Sequence, residues 1–136
     1  MSMENIKAGD KMPDAKNPVG KYLPIYYAGA SGDFNPIHID PEFGKMAGLG
    51  GNILQGLCTM GFVAKACTDW AGDPAALKRL RVRFAKPVYP GDTVAVHGQV
   101  REITQDGVVV CDMNATTKNG EVEVISQGMA EFRKVE

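Results

Sequence analysis

Long hydrophobic runs are missing from this 136-residue chain. None approaches the ~20 consecutive apolar residues that a membrane-spanning helix needs, which argues against a helical membrane protein. The opening MSMENIKAGDK has no apolar block of the kind a secretory leader carries. A surplus of basic charge is missing too: 15 Lys and Arg face 16 Asp and Glu, for a net charge of -1. A nucleic-acid binder needs a strong positive excess, so nucleic acid is not an expected partner. Cysteine is scarce. Cys58, Cys67 and Cys111 are odd in number, widely spaced and form no CxxC pair, which excludes a disulfide framework and reads as reduced thiols in a cytoplasmic protein. Histidine is scarcer still, at two residues, and no metal site is expected. Internal repeats, low-complexity tracts and linkers are absent, so residues 1–136 read as one domain.

What is present is ordinary globular material, 44% hydrophobic and 23% charged, enough to bury a core. Residues 1 to 20 read as an irregular lead-in to a first strand near Val19 to Leu23. Pro24 suits the first turn of a short helix whose apolar side is Ile25, Tyr26, Tyr27 and Ala28. That helix ends between Gly29 and Asp33, and Asn35-Pro36 marks a turn. Beyond it an extended segment is expected, with Ile37 and Ile39 on one side and His38 and Asp40 on the other. Asp40-Pro41-Glu42 reads as N-cap, N1 and N2 of a further short helix that ends at the glycines 48, 50 and 51.

The longest helix is expected from Leu54 to Trp70, stopping at Gly72. It is apolar nearly all round and rich in small residues, the mark of a buried helix that other backbones approach closely. Everything downstream reads as strand. Leu80, Val82 and Phe84 alternate with Arg81 and Arg83, Thr93 to Val100 follows the turn Tyr89-Pro90-Gly91-Asp92, Val108 to Met113 follows Asp106-Gly107, and a last run leads from Val122 toward Phe132. One buried helix followed by antiparallel strands is an α+β arrangement, with the sheet curling round the helix.

The stretch ASGDFNPIHID, residues 30–40, is the chemically dense one. Asp33 and His38 flank a proline-stiffened turn that can face both side chains toward one point, where a carboxylate and an imidazole could hold one water and move protons both ways. Taken singly, Asp33 and Asn35 are ordinary turn residues and His38 an ordinary strand histidine; it is the whole polar string beside an apolar helix that points to an active site.

The string SGD-x-N-P-x-H-x-D, together with FAKPVYPGD at residues 84–92, resembles the MaoC-like family of hotdog-fold proteins, which includes R-specific enoyl-CoA hydratases and β-hydroxyacyl-thioester dehydratases. The likeness spans roughly residues 22 to 100. It implies a hotdog fold, an antiparallel sheet wrapped around a central helix. It also implies a hydro-lyase that adds water to a trans-2-enoyl thioester of coenzyme A or acyl carrier protein, or removes it from the 3-hydroxyacyl thioester. On that resemblance Asp33 and His38 are the catalytic pair, Asn35 supports their geometry, and Ser31 and Gly32 are the small loop residues beside them. The backbone N–H of Gly56 becomes the oxyanion donor at the start of the central helix. Relatives commonly have histidine where this chain has Gln55, which touches rate or substrate choice. No resident cofactor is implied, and the family pairs hotdogs into dimers, homodimers or heterodimers.

Two alternatives share the fold: a thioesterase, and the motif-bearing half of a heterodimeric dehydratase that is inactive alone. The two proton-transfer groups favour the hydratase over the thioesterase. One or two of the basic run Lys78, Arg79, Arg81, Arg83 and Lys86, with Arg81 and Arg83 put first, are candidates for pairing with carrier phosphates, against the plain reading of a solvated strand face. Asp40 reads as a helix cap, and His97 as a strand histidine without polar company.

Overall fold

The computed structural model describes residues 5–135, so residues 1–4 of the expected lead-in lie outside the described part. Its elements are β1 (Ala15–Pro18), α1 (Leu23–Ser31), α2 (Pro36–Ile39), α3 (Pro41–Met46), α4 (Gly56–Ala71), β2 (Leu77–Phe84), β3 (Thr93–Ile103), β4 (Val109–Thr117) and β5 (Val122–Phe132). The strands form one antiparallel sheet in the order β1-β3-β4-β5-β2, with α4 packed on its inner face. This is the hotdog arrangement expected from the sequence.

The core forms where strand alternation meets the helix. Val94, Val96 and Val100 of β3, Val124 and Phe132 of β5, and Val63 and Cys67 of α4 are buried together. Trp70 of α4 meets Phe132 edge to face, with ring centroids 5.3 Å apart, a geometry suited to the quadrupoles of both rings. Gly98 of β3 lets the lead-in lie close: a Cβ there would sit 2.5 Å from the sulfur of Met12. The lead-in is accordingly less irregular than its composition implies. Met12 N–H bonds to Gly98 and Gly9 N–H to Val100, so residues 9–12 run along β3.

Three local expectations are corrected. The first strand lies at Ala15–Pro18 rather than near Val19 to Leu23. Val19 is instead clasped by the turn before β3, through Val19 N–H to Asp92 and Gly91 N–H to Val19, and Pro18 is tolerated because β1 is an edge strand. Residues 36–39 form one helical turn rather than an extended segment. Asn35 is extended, as a residue before proline should be, yet its side chain caps the Ile37 N–H and Pro36 takes the first helical position, so the helix restarts at once. Finally, α4 is not buried all round. Cys58, Thr59, Val63 and Cys67 face the sheet, while Leu57 remains 64% exposed, because one sheet can cover only one side of a helix.

Candidate functional site

Helix α1 ends at Ser31, and Gly32 closes it with a left-handed φ of 78° while its N–H bonds to the Ala28 carbonyl. A residue with a Cβ pays for that conformation, which is why glycine sits there. The Ser31 hydroxyl donates to the Tyr27 carbonyl at 2.7 Å and accepts from the Asp33 N–H at 3.1 Å, so it ties the loop back to its own helix. Asp33 in turn accepts the Asn35 N–H on Oδ1 at 3.3 Å. This carboxylate is therefore oriented by the turn, with Oδ2 left free for another partner.

That partner is His38. The capped turn of α2 brings Nε2 of His38 to 3.5 Å from Asp33 Oδ2. His38 is 9% exposed, and Asp33 remains open to solvent. The other ring nitrogen, Nδ1, lies 2.8 Å from the Ile53 carbonyl. A carbonyl can only accept, so Nδ1 carries a proton, and in the neutral ring the lone pair is the one at Nε2. The segment before α4 is laced to α2 by two more bonds: Asn52 Nδ2 donates to the His38 carbonyl at 2.9 Å, and Ile53 N–H bonds to Ile37 at 2.9 Å.

A cavity of about 310 Å³ adjoins the histidine. Its walls are mostly apolar, among them Leu49, Ile53, Leu54, Pro87 and Val124, with His38, Thr59 and Lys86 as the polar exceptions and Gly56 adding backbone. Gly56 opens α4. The Gln55 carbonyl accepts from Cys58 and Thr59, so the N–H groups of Gly56 and Leu57 precede the helical ladder, and the positive end of the helix dipole points the same way. A Cβ on Gly56 would stand 3.2 Å from the Phe84 ring, so close helix–sheet packing calls for glycine here.

Gln55 is the N-cap of α4 and is 1% exposed, yet its side chain does not cap the helix. Nε2 instead donates to the Pro24 carbonyl of α1 at 2.9 Å, while Oε1 is buried without a hydrogen-bond partner. Gln55 thus joins the helix that leads to Asp33 to the helix that begins at Gly56. The glycine-rich run 48–51 touches the cavity through one residue. Leu49 lines it, and the Tyr89 hydroxyl holds the Leu49 carbonyl at 2.7 Å.

Ser31, Gly32, Asp33, Asn35 and His38 thus gather at one point, with Gly56 on the adjoining cavity and Gln55 behind it. Arg81 and Arg83 do not join them. Strand alternation sends both to the face opposite Leu80, Val82 and Phe84, and neither lines the cavity. Asp40 accepts the N–H groups of Glu42 and Phe43 and is the cap of α3. His97 has company after all: Nδ1 lies 2.8 Å from Asp14 and Nε2 2.9 Å from the Thr116 hydroxyl. This outer-face cluster stitches the start of β1 to β3 and β4. The Ile53 carbonyl, the Asn52 amide and Thr59 carried no signal in the sequence, and Lys86 none beyond its place in the basic run, because a wall residue is defined only by what folds against it.

Among the described residues no group of three His, Cys, Asp or Glu side chains is placed to hold a metal ion, and no helix is long and apolar enough to cross a membrane. Burial pushes the thiols of Cys67 and Cys111 up to about 12, so they stay protonated and are poor nucleophiles.

Comparison with known proteins agrees with the fold. Residues 11–127 match the family model described as "MaoC like domain". The chain is 42% identical over 89 residues to a probable enoyl-CoA hydratase 2 of Dictyostelium discoideum, covering 62% of this chain and 30% of that protein. It is 52% identical over 66 residues to the peroxisomal enoyl-CoA hydratase 2 of Arabidopsis thaliana, covering 47% and 21%. It therefore spans less than a third of the length of these relatives. A solved MaoC-like dehydratase superposes with a TM-score of 0.92 at 28% identity, over 98% of this chain and 42% of that one. An (R)-hydratase from A. caviae superposes with a TM-score of 0.85 at 19% identity, over 96% and 99%, a likeness of fold. With a family model matched along residues 11–127, most of its length, the chain belongs to the MaoC-like family of hotdog-fold proteins.

Proposed function

We propose that the protein is a hydro-lyase that adds water to trans-2-enoyl thioesters to give (R)-3-hydroxyacyl thioesters, and catalyses the reverse dehydration. The observation that carries this reading is the Asp33–His38 pair, 3.5 Å apart, beside an apolar cavity that also receives the Gly56 end of α4. A water held between Oδ2 and Nε2 loses a proton to the pair as its oxygen adds to C3. The electrons of the double bond shift toward the thioester carbonyl, whose oxygen takes the Gly56 N–H. A proton from the pair then reaches C2, so the pair ends as it began. Nδ1 stays bonded to Ile53 throughout, and all proton exchange on the histidine runs through Nε2. The steps as written call for no metal or redox group.

Asn35, Ser31 and Gly32 hold the carboxylate loop in this reading. The carrier, coenzyme A or an acyl carrier protein, lies outside the cavity, past its rim. The protein works as a homodimer: one edge of β2 is unpaired, and Leu57 and Phe84 nearby are 64% and 51% exposed, apolar surface that a second copy would cover. Three buried free thiols suit a reducing compartment such as the cytoplasm.

The test is the ultraviolet absorbance of the conjugated enoyl thioester across a chain-length series of trans-2-enoyl-CoAs. Loss of conjugation without release of thiol is expected. Thiol release would make the protein a thioesterase. Silence on both would point to a missing partner subunit, which native mass would expose as a monomer.

A further inference from the structure

Lys86 is the one permanent cation among the residues that line the cavity, and no carboxylate lines it. Its backbone is fixed on both sides: Ala85 N–H bonds to the Val124 carbonyl at 2.9 Å, Pro87 follows, and Val88 is buried. Its side chain is exposed, whereas the lining residues Leu54, Thr59, Val88 and Val124 are buried. Lys86 therefore stands at the rim, with a fixed root and a free ammonium. Among the described residues no carboxylate lies within ion-pairing distance of that ammonium. A lysine at a solvated strand end needs no partner, but one that lines the same cavity as His38 is placed to meet whatever enters.

We infer that Lys86 binds a phosphate of the substrate's carrier as the thioester enters, an inference that rests on the hydratase reading and deepens it. An extended pantetheine arm spans about 15 Å from sulfur to first phosphate, at roughly 1.2 Å per bond. A cavity of about 310 Å³ does not hold that length together with an acyl chain. The phosphate therefore lies past the rim, on the solvent side, where the Lys86 ammonium reaches. The acyl chain takes the apolar interior, so the single cation reads the carrier rather than the acyl group. Ammonium–phosphate contact is a point-charge interaction with one or two charge-assisted hydrogen bonds, and at an exposed rim it is screened by salt.

The experiment titrates coenzyme A, as the free thiol, into the full-length wild-type protein and the Lys86→Gln and Lys86→Glu variants by calorimetry at low and moderate salt. It then compares KM and kcat for one short enoyl group carried on coenzyme A and on N-acetylcysteamine, which has no phosphate. The expected result is that Lys86→Gln weakens coenzyme A binding by about tenfold, the worth of one charge-assisted contact, and that Lys86→Glu weakens it further. The loss shrinks at higher salt. KM for the coenzyme A thioester rises with kcat unchanged, and both constants for the N-acetylcysteamine thioester stay at their wild-type values. Equal binding by wild type and Lys86→Gln overturns the inference, as does wild-type protein that binds no coenzyme A. Equal losses on the two thioesters also overturn it and would assign Lys86 to the acyl end. Lysine-dependent coenzyme A binding without turnover of any enoyl thioester would uphold Lys86 and reject the hydratase.

Discussion

Asp33 Oδ2 and His38 Nε2 face each other across 3.5 Å although their other polar atoms are already committed, Oδ1 to the Asn35 N–H and Nδ1 to the Ile53 carbonyl. Each group offers one atom to the gap, and at that separation the contact is too long for a good direct hydrogen bond. A water beside the gap can contact both atoms at once. Asp33→Asn keeps the shape and removes the charge; His38→Gln keeps a polar side chain and removes the titrating ring. Each should lower kcat on an enoyl thioester by about 10²-fold or more, with circular dichroism and melting temperature close to wild type. Full activity in both variants would reject the site.

Gly44 tests the wall behind that pair. A Cβ on Gly44 would lie 1.9 Å from the Gly51 carbonyl oxygen, a backbone atom that cannot rotate away, so Gly44→Ala must push the 48–52 run outward. The expected cost is about 1–3 kcal/mol of stability. Because Asn52 and Ile53 both bond to His38, activity measured well below the melting temperature should fall as well. Stability loss with unchanged kcat would show that the run moves without the histidine.

Gln55 separates packing from polarity. Leucine is close to it in volume, removes the unpartnered Oε1 and gives up the bond to Pro24. Losing an orphan acceptor offsets losing one hydrogen bond, so Gln55→Leu should unfold within about 1 kcal/mol of wild type. Gln55→Ala leaves a void in a fully buried position and should cost about 2 kcal/mol or more. Urea denaturation of the two variants measures the difference, and equal losses would mean that the Pro24 bond dominates.

The buried thiols give the protein an alkaline limit. Burial raises Cys67 and Cys111 from an ordinary value near 9.0 to about 12, so between those values the unfolded chain has released protons that the native state still binds. Stability is then complete below pH 9 and falls as pH climbs toward 12. Thermal denaturation from pH 7 to 11 should show the decline, which a Cys67→Ala, Cys111→Ala double variant should flatten around its own lower starting point. In the native protein at pH 8 both thiols should resist a water-soluble alkylating reagent until denaturant is added.

Local chemistry was legible and long-range chemistry was not. Asp40-Pro41-Glu42 announced a cap and its helix, Gly72 announced the end of α4, and alternation located β2 to β5 closely, because each signal acts within a few residues. The turn at 36–39 was misjudged because the rule for the residue before proline governs Asn35 alone and says nothing about Pro36 itself, a good first helical residue. His97 looked solitary because its carboxylate partner Asp14 lies 83 positions away and only the sheet order brings them together. Arg81 and Arg83 were singled out by charge, but charge does not say which face of a strand a residue takes. Lys86 went unsingled within the same run because nothing local marks the rim of a cavity.

The bond between His38 and Ile53 divides the labour at the site between main chain and side chain. Ile53 fixes the imidazole with its carbonyl and lines the cavity as well. A substitution there changes the shape offered to an acyl chain while the acceptor that holds the proton on Nδ1 stays in place. The same separation applies to Leu49, whose carbonyl is held by Tyr89 while the residue forms part of the wall. On the proposed hydratase reading, acyl preference can therefore drift, or be engineered, by resculpting one wall residue at a time without retuning the Asp33–His38 pair.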